Sequence, residues 1–242
     1  MKRLALILFA IFSINTYANE SLFNKANQLY SQEKYHNAIL LYDSIISNGL
    51  ESSEIYYNIG NCYYKKSDWA NAIWYYEKSL KLNNKKSTKE NLELVKLKII
   101  DQIETIPQLF YEKWWDNLLS IFKTITWQIL SIITICFVVF TKTINLATSL
   151  KKDNLSRFLA IIAISLFFIS TSSYNKNYSK KEAIIFSSSV AVNSAPTNKS
   201  TNLFSLHSGT KVEITDSIGE WIKIQIPNGN NGWIKESECK FL

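Results

Sequence analysis

The side chains that most often perform chemistry are few and scattered along this chain of 242 residues. His36 and His207 are its two histidines, and neither has a candidate catalytic partner near it in the sequence. The six glycines form no phosphate-binding loop, and the sequence shows no nucleophile elbow, metal-ligand pair or carboxylate pair. We therefore expect no catalytic residue, no metal site and no cofactor, and we favour a binding protein over an enzyme with an unfamiliar active site.

The cysteines indicate neither a metal site nor a disulfide framework. Cys62, Cys136 and Cys239 lie far apart, no pair has a metal-ligand spacing, and their number is odd. A bond between Cys62 and Cys239 is an open alternative, but three unreactive thiols are the favoured interpretation.

The charge of the chain argues against nucleic acid as a partner. The formal net charge is +7, which is modest for this length. Nearly all the basic residues are scattered lysines, and they form no arginine-rich stripe along which a phosphate backbone would lie.

Two uncharged apolar stretches, residues 124–141 and 158–175, set the arrangement of the rest of the chain. Each is 18 residues long, near the lower limit of the ~17–25 residues that cross a bilayer as a helix. They predict a transmembrane hairpin over 124–174, with spans at about 124–142 and 157–174, in contact with the lipid bilayer. A pair of buried helices in a soluble core is the alternative.

The amino terminus resembles a secretory signal peptide over residues 1–18. A basic start is followed by the apolar run Leu4–Ile14 and by small residues before a cut after Ala18. An uncleaved anchor is the alternative, and either segment would deliver the following residues outside the cytoplasm.

Basic residues in the hairpin loop agree with that orientation, since such residues favour the cytoplasmic side. They are Lys142, Lys151, Lys152 and Arg157. We therefore predict an inner-membrane protein with two spans and with both soluble parts on the periplasmic side.

Residues 19–106 contain an internal repeat with a period of 34. Asn24 recurs as Asn58, and Tyr30 recurs as Tyr64. Asn27–Asn61 and Tyr42–Tyr76 are further pairs with the same separation. Small residues and aromatics at this period are typical of tetratricopeptide repeats, which are pairs of helices.

A third helix is expected to cover the apolar face that two repeats leave open. Ser87 and Glu90 have the spacing of a capping box. Apolar residues follow at helical spacing as far as Ile106, and the helix is expected to end before Pro107. These residues are Leu92, Val95, Ile99, Ile103 and Ile106.

The concave face of the repeats is the predicted partner-binding site, because tetratricopeptide proteins usually bind peptides there. Its candidate residues are Asn24, Asn27, Tyr30, Tyr57, Asn58, Asn61 and Tyr64. Asn27 and Asn58 match the asparagines with which some repeats clamp a terminal carboxylate. The basic members of that clamp are missing, because Phe23, Thr88 and Leu92 occupy their positions. Asparagines that are merely solvated on a helix face are the alternative.

Residues 107–123 are predicted to form an amphipathic helix at the membrane surface. Aromatic and leucine residues recur every four positions, and indole and phenol rings favour the headgroup layer. They are Phe110, Trp114, Leu118 and Phe122 on one line and Tyr111, Trp115 and Leu119 on another. A small aromatic core is the alternative.

Residues 182–242 change to a β pattern of about five short strands, of which Trp221–Ile226 alternates strictly. The order of features resembles a bacterial SH3-like domain, a small barrel, through Gly209–Val212, Trp221 and Gly232-Trp233-Ile234. Exposed aromatics bind cell-wall peptides in some members, so the candidate ligand face is Phe204, Trp221 and Trp233. Aromatics that only fill the core are the alternative.

The complete layout resembles the BatE-like tetratricopeptide membrane proteins of the Bacteroides aerotolerance (Bat) operon. Tyr57–Asn61, Ile106-Pro107, Phe110 and Trp114-Trp115 carry this resemblance. It implies a multidomain membrane protein with all-α tetratricopeptide repeats, a two-helix transmembrane hairpin and a small all-β SH3-like barrel. It also implies a non-catalytic scaffold in a complex of Bat membrane proteins linked to oxygen tolerance. An envelope sensor that binds peptidoglycan is the second hypothesis.

Overall fold

The computed structural model describes residues 19–104, 106–148, 153–176 and 180–242. They form two compact units, one of residues 19–104 with Glu182–Leu242 and one of the described residues between 106 and 181. The predicted signal peptide, residues 1–18, lies outside the described residues.

The repeats are two helical hairpins with closely similar ends. Their helices are α1 (residues 19–31), α2 (Tyr35–Ser47), α3 (Ser53–Lys65) and α4 (Trp69–Leu82). Glu33 and Ser67, which lie 34 residues apart, both have a φ near +60°, so the turn inside each hairpin has the same backbone conformation. Ser52 caps α3 by accepting a hydrogen bond from the Ile55 amide, and Asp68 caps α4.

Small residues allow the helices of each hairpin to approach closely. Ala26, Ala38 and Ala72 are completely buried. At Gly60 a Cβ would lie only 2.7 Å from the Tyr76 ring. A larger residue at any of these positions would separate the helices, as the repeat pattern predicts.

The third helix, α5 (Lys86–Lys96), ends ten residues before the predicted end at Ile106. The predicted capping box is also wrong, because the helix begins after Lys85 with no side-chain cap, and Glu90 instead pairs with Lys86. Beyond α5, Ile99 packs against the core of the repeats and Ile103 against the core of the barrel. The helical spacing of these isoleucines was misleading because they belong to a segment that joins two cores.

Residues 106–148 and 153–176 form the second unit, which contains α6 (Phe110–Ser120), α7 (Thr124–Thr148) and α8 (Asp153–Tyr174). The Trp115 indole donates to the Ser172 hydroxyl over 3.0 Å, and Lys176 pairs with Asp116 at 2.6 Å. These bonds hold α6 beside the end of α8. Among the described residues, α7 and α8 are long and apolar enough to cross a membrane, judged by length and composition.

The carboxy-terminal part is one antiparallel β-structure of seven strands within residues 180–242, instead of the five expected. The strands are β1 (Lys181–Ile185), β2 (Ser189–Asn193), β3 (Asn202–His207), β4 (Lys211–Ile218), β5 (Trp221–Gln225), β6 (Asn231–Lys235) and β7 (Cys239–Phe241). Their order in the sheet is β3-β2-β6-β5-β4-β1-β7. Ile222, Ile224 and Ile226 are buried in its core, as the alternation predicts, and Ile234 is buried with them.

The repeats and the barrel are packed against each other within the first unit, although their sequence patterns predict two separate modules. We call this contact the seam. On the side of the repeats it comprises α4 and residues 97–104, and on the side of the barrel it comprises β1, β7 and residues 207–211. Ile184 of β1, for example, is completely buried in the core of the repeats.

Candidate partner-binding site

The candidate site is built from asparagines on α1, α3 and α5, which occupy one side of the repeats. We call Asn27, Asn58, Asn61 and Asn91, with the tyrosines around them, the asparagine face. The helices present these residues together because positions three and four apart lie on one side of a helix. Asn24, the remaining predicted asparagine, is exposed, whereas the four named ones are half-buried.

The first repeat supplies one hydrogen-bonded amide pair. The Asn27 amide oxygen accepts from the Tyr42 hydroxyl and from the Asn58 side-chain nitrogen, the latter at 3.1 Å. Burial raises the pKa of Tyr42 above its ordinary range, so this phenol stays protonated and remains a donor.

The second repeat supplies an equivalent amide pair. The Asn61 amide oxygen accepts from the Tyr76 hydroxyl at 2.7 Å and from the Asn91 side-chain nitrogen at 3.0 Å. Asn91 also donates to the Tyr57 hydroxyl at 3.1 Å. The Tyr76–Asn61 bond lies 34 residues after the Tyr42–Asn27 bond, so the repeat is one of hydrogen bonding as well as of residue type.

These bonds decide which groups the asparagine face offers to a ligand. An amide oxygen has two lone pairs, and both are used at Asn27 and at Asn61. Their amide nitrogens remain as donors. The face therefore presents repeated N–H donors, which suit carbonyl or other acceptor groups of an extended chain.

A cavity of about 150 Å³ opens beside the second amide pair. It is lined by Tyr30, Asn61, Tyr64, Lys65, Tyr76, Asn91 and Leu94. The cavity is smaller than the ~300–1,000 Å³ of sites that enclose a small-molecule ligand. It has room for one side chain or one terminal group, with the exposed Lys65 ammonium and the Leu94 side chain at its border.

The structure brings most of the predicted concave-face residues together, and it adds two residues of α5 that sequence reasoning missed. Tyr30, Asn61 and Tyr64 line the cavity, while Asn27 and Asn58 form the first amide pair. The 34-residue period predicts that residue 92 is the equivalent of Asn58, but residue 92 is a buried leucine. Asn91 takes that role instead, because it forms the amide pair with Asn61. Sequence reasoning therefore misses Asn91 and Leu94. A shift of one residue would have found Asn91.

The aromatic residues proposed for the SH3-like domain are largely covered. Trp221 and Trp233 are each 8% exposed, and Phe204 is partly buried against the barrel core. Strand alternation places both tryptophans on the sheet face opposite to the core isoleucines, where each lies across from a lysine of the neighbouring strand. Both tryptophans offer a ligand little surface in this conformation, although neither belongs to the buried cluster that contains the core isoleucines.

The histidines and cysteines show no reactive arrangement in the part of the chain that the structure describes. His207 Nδ1 lies 2.8 Å from an Asp101 carboxylate oxygen, a partner 106 residues away in sequence, and His36 is exposed. All three cysteines are free thiols. Burial raises the pKa of Cys62 to about 12, which suppresses the thiolate. No group of three potential metal ligands occurs among the described residues.

Comparison with known proteins identifies two of the elements. Residues 53–86 match the tetratricopeptide repeat family, and residues 188–239 match the bacterial SH3 domain family. These matches confirm a tetratricopeptide repeat and an SH3-like domain in one chain.

Comparison with solved structures gives a distant likeness. A structure titled as the TPR2AB domain:pHSP90 complex of yeast Sti1 is similar over 66% of this chain, with 17% identity and a TM-score of 0.32. The chain spans 64% of the length of that structure. A search of curated proteins gives no significant match.

Proposed function

We propose that this chain is a non-catalytic adaptor of the inner membrane that binds protein partners on the periplasmic side. The observation that carries the proposal is the asparagine face, where two repeat-related amide pairs leave N–H donors and the second pair borders an open cavity. Tetratricopeptide repeats and SH3-like domains are recognition modules, which agrees with this role.

The apolar helices support the membrane anchor. Only 6% of the apolar window in Thr124–Ala147 and 17% of that in Asn154–Tyr174 are buried inside the protein. Core helices of a soluble protein would bury most of this surface. On α6, Phe110 is 84% exposed and Trp114 is 64% exposed, which suits a helix lying in the headgroup layer.

The packing of the first unit supports a common side for both soluble parts. Residues before the two apolar helices and residues after them share the seam. A chain that leaves this unit and returns to it crosses a bilayer an even number of times. The basic loop at Lys142–Arg157 then favours the periplasm for the unit.

The partners in this proposal are membrane proteins of a Bat-type complex, some of them with von Willebrand-type domains. The support is the resemblance carried by Tyr57–Asn61, Ile106-Pro107 and Trp114-Trp115. On this basis the adaptor serves tolerance of oxygen or oxidative stress.

Capture of crosslinked partners in mild detergent tests the role of the asparagine face. Replacing Asn27 or Asn58 would break a bond inside the fold, so Lys65→Glu and Leu94→Ser, at exposed residues on the border of the cavity, are the better variants. We expect each to reduce recovery of partner membrane proteins several-fold. Lys34→Glu, an equal charge reversal at an exposed residue that does not line the cavity, should leave recovery unchanged. Equal recovery with all three variants rejects the asparagine face as the binding site.

An envelope sensor is the second candidate function, and the match of residues 188–239 to bacterial SH3 domains favours it. In this role the SH3-like domain binds peptidoglycan, with Phe204 at the edge of the ligand face. The full chain in detergent should then co-sediment with cell-wall sacculi, and Phe204→Ser should reduce the bound fraction. A chain that stays in the supernatant rules this candidate out.

A further inference from the structure

We propose that residues 19–104 and 182–242 are halves of one discontinuous domain, and that residues 105–181 are an insertion within it. The proposal rests on contacts inside the first unit alone. It does not depend on the adaptor function or on the presence of a membrane.

The first line of support is an aromatic contact between α4 and the last strand. The Trp74 indole N–H donates to the Phe241 carbonyl oxygen at 2.8 Å. The Lys240 ammonium lies 3.6 Å from the centre of the Trp74 ring. Trp74 is 6% exposed, and its buried indole N–H is satisfied by a carbonyl group 167 positions further along the chain.

A carboxylate in the middle of α4 is paired with a lysine of the barrel. Glu77 is 8% exposed, and its carboxylate lies 2.8 Å from the Lys211 ammonium of β4. Lys211 also pairs with Glu182 of β1 at 3.0 Å, and Glu182 pairs with Lys81 of α4 at 3.7 Å. With the two halves packed together, loss of the Lys211 ammonium would leave the Glu77 carboxylate buried without this counter-ion, which is strongly destabilising.

The segment that leaves the repeats is also fixed to the barrel. Asp101 accepts hydrogen bonds from the His207 backbone N–H and the Thr210 hydroxyl, both at 2.6 Å, and its other oxygen lies 2.8 Å from His207 Nδ1. Although burial alone would raise the pKa of Asp101, the bonds from Thr210 and His207 hold it below its ordinary value. Asp101, which lies just before the insertion in sequence, is therefore held by residues that follow the insertion.

Each half also contributes to the apolar core of the other. Ile184 is completely buried in the core of the repeats, where Phe186 and Leu242 also pack. Ile103 packs against the barrel core. At Gly209 a Cβ would lie 2.6 Å from the Ile99 side chain, so the Gly209 backbone packs directly against that side chain. Neither half has a complete core without the other.

Cutting the full chain on both sides of the insertion tests the proposal. Specific protease sites are placed within residues 105–109 and 177–180, and the protein is cleaved in detergent and separated by size-exclusion chromatography. We expect residues 19–104 and 182–242 to elute together as a folded pair. Separate elution of the two fragments from the otherwise unchanged chain overturns the proposal.

Seam variants show whether the seam itself holds the pair. Lys211→Met leaves Glu77 and Glu182 without their shared counter-ion and is expected to weaken the pairing at least tenfold. Trp74→Phe keeps an aromatic ring but removes the indole N–H bond and reduces the ring surface that faces Lys240. A loss of about 2–10-fold is expected from this milder change, even if Lys211→Met fails to fold. Lys86→Met, which breaks only the exposed pair with Glu90, should have no effect. Equal pairing in all three variants contradicts the proposal.

The outcome is separable from that of the adaptor proposal. If the fragments elute together but Lys65→Glu retains its partners, the asparagine face is rejected and the discontinuous domain stands. If the fragments separate while Lys65→Glu loses its partners, the reverse holds.

Discussion

Gly60→Ala is the change whose sign the structure decides most directly. Alanine in place of a helix-interior glycine ordinarily stabilises a helix by about 1 kcal/mol. At this position, however, the new Cβ would lie 2.7 Å from both Cδ1 and Cε1 of Tyr76. The ring is 1% exposed and has little freedom to move, and its hydroxyl is bonded to Asn61 in the second amide pair.

The ring would have to withdraw by about 0.7 Å to reach ordinary van der Waals contact, so overpacking of about 1–3 kcal/mol is expected. Loss of the Tyr76–Asn61 bond adds about 1 kcal/mol. These costs exceed the gain in helix propensity, and the net loss of unfolding free energy is on the order of 1–3 kcal/mol. For a unit of this size that corresponds to a fall in Tm of roughly 2–10 °C.

Thermal unfolding of the full chain in detergent, followed by circular dichroism, measures this loss. Ala26→Gly is the matched control, because Ala26 occupies the same repeat position 34 residues earlier. It should cost about 1 kcal/mol through propensity, with no clash. Tyr76→Phe measured alone, and with Gly60→Ala, isolates the hydrogen bond. A Gly60→Ala protein that melts higher than the unchanged chain would refute the close packing of α3 against Tyr76.

Three further predictions concern the first unit. The stabilisation that Asp101 contributes should be complete above pH 3.8, its ordinary pKa, and should be lost as the pH falls through the lower pKa of the folded chain. The pKa of Lys211 is raised by Glu77 and Glu182 against the effect of burial. Its stabilisation should therefore be complete below pH 10.5, its ordinary pKa, and should be lost as the pH rises through the higher pKa of the folded chain. Urea unfolding across pH checks this: Asp101→Asn should flatten the acid limb and Lys211→Met the alkaline limb, and unchanged limbs would contradict it. Gly209→Ala should lower Tm, because the φ of +96° disfavours a side chain and the new Cβ would clash with Ile99. A Tm equal to that of the unchanged chain would contradict the close packing of Gly209 against Ile99. Cys62 should resist alkylation in the folded chain, since burial raises its pKa to about 12, and mass spectrometry showing modification as fast as in urea would disprove this.

The repeats could be predicted from sequence because their constraints are local and periodic. The 34-residue spacing of Asn27 and Asn61 follows from helix pairs that stack in the same way each time, so the type of residue reports its place in the fold. Strict alternation at Ile222, Ile224 and Ile226 is equally local and predicts their burial correctly. The pairing of Asn91 with Asn61 could not be predicted from sequence, because it depends on the rotation of α5 about its axis. That rotation places Asn91, and not residue 92, beside Asn61.

The seam could not be predicted because its partners lie 106–167 residues apart and no period links them. The residue pattern of α4, on the repeat side of the seam, is nevertheless unusual. Trp74 and Glu77 lie on α4 among residues that are already buried, and neither has a role in the repeat pattern: the first repeat has Leu40 and Asp43 at the same positions. Leu40 is 54% exposed, whereas Trp74 is 6% exposed. The two repeats therefore differ where the barrel packs, and a departure from the period in one repeat alone is the sequence signal of a contact outside the array.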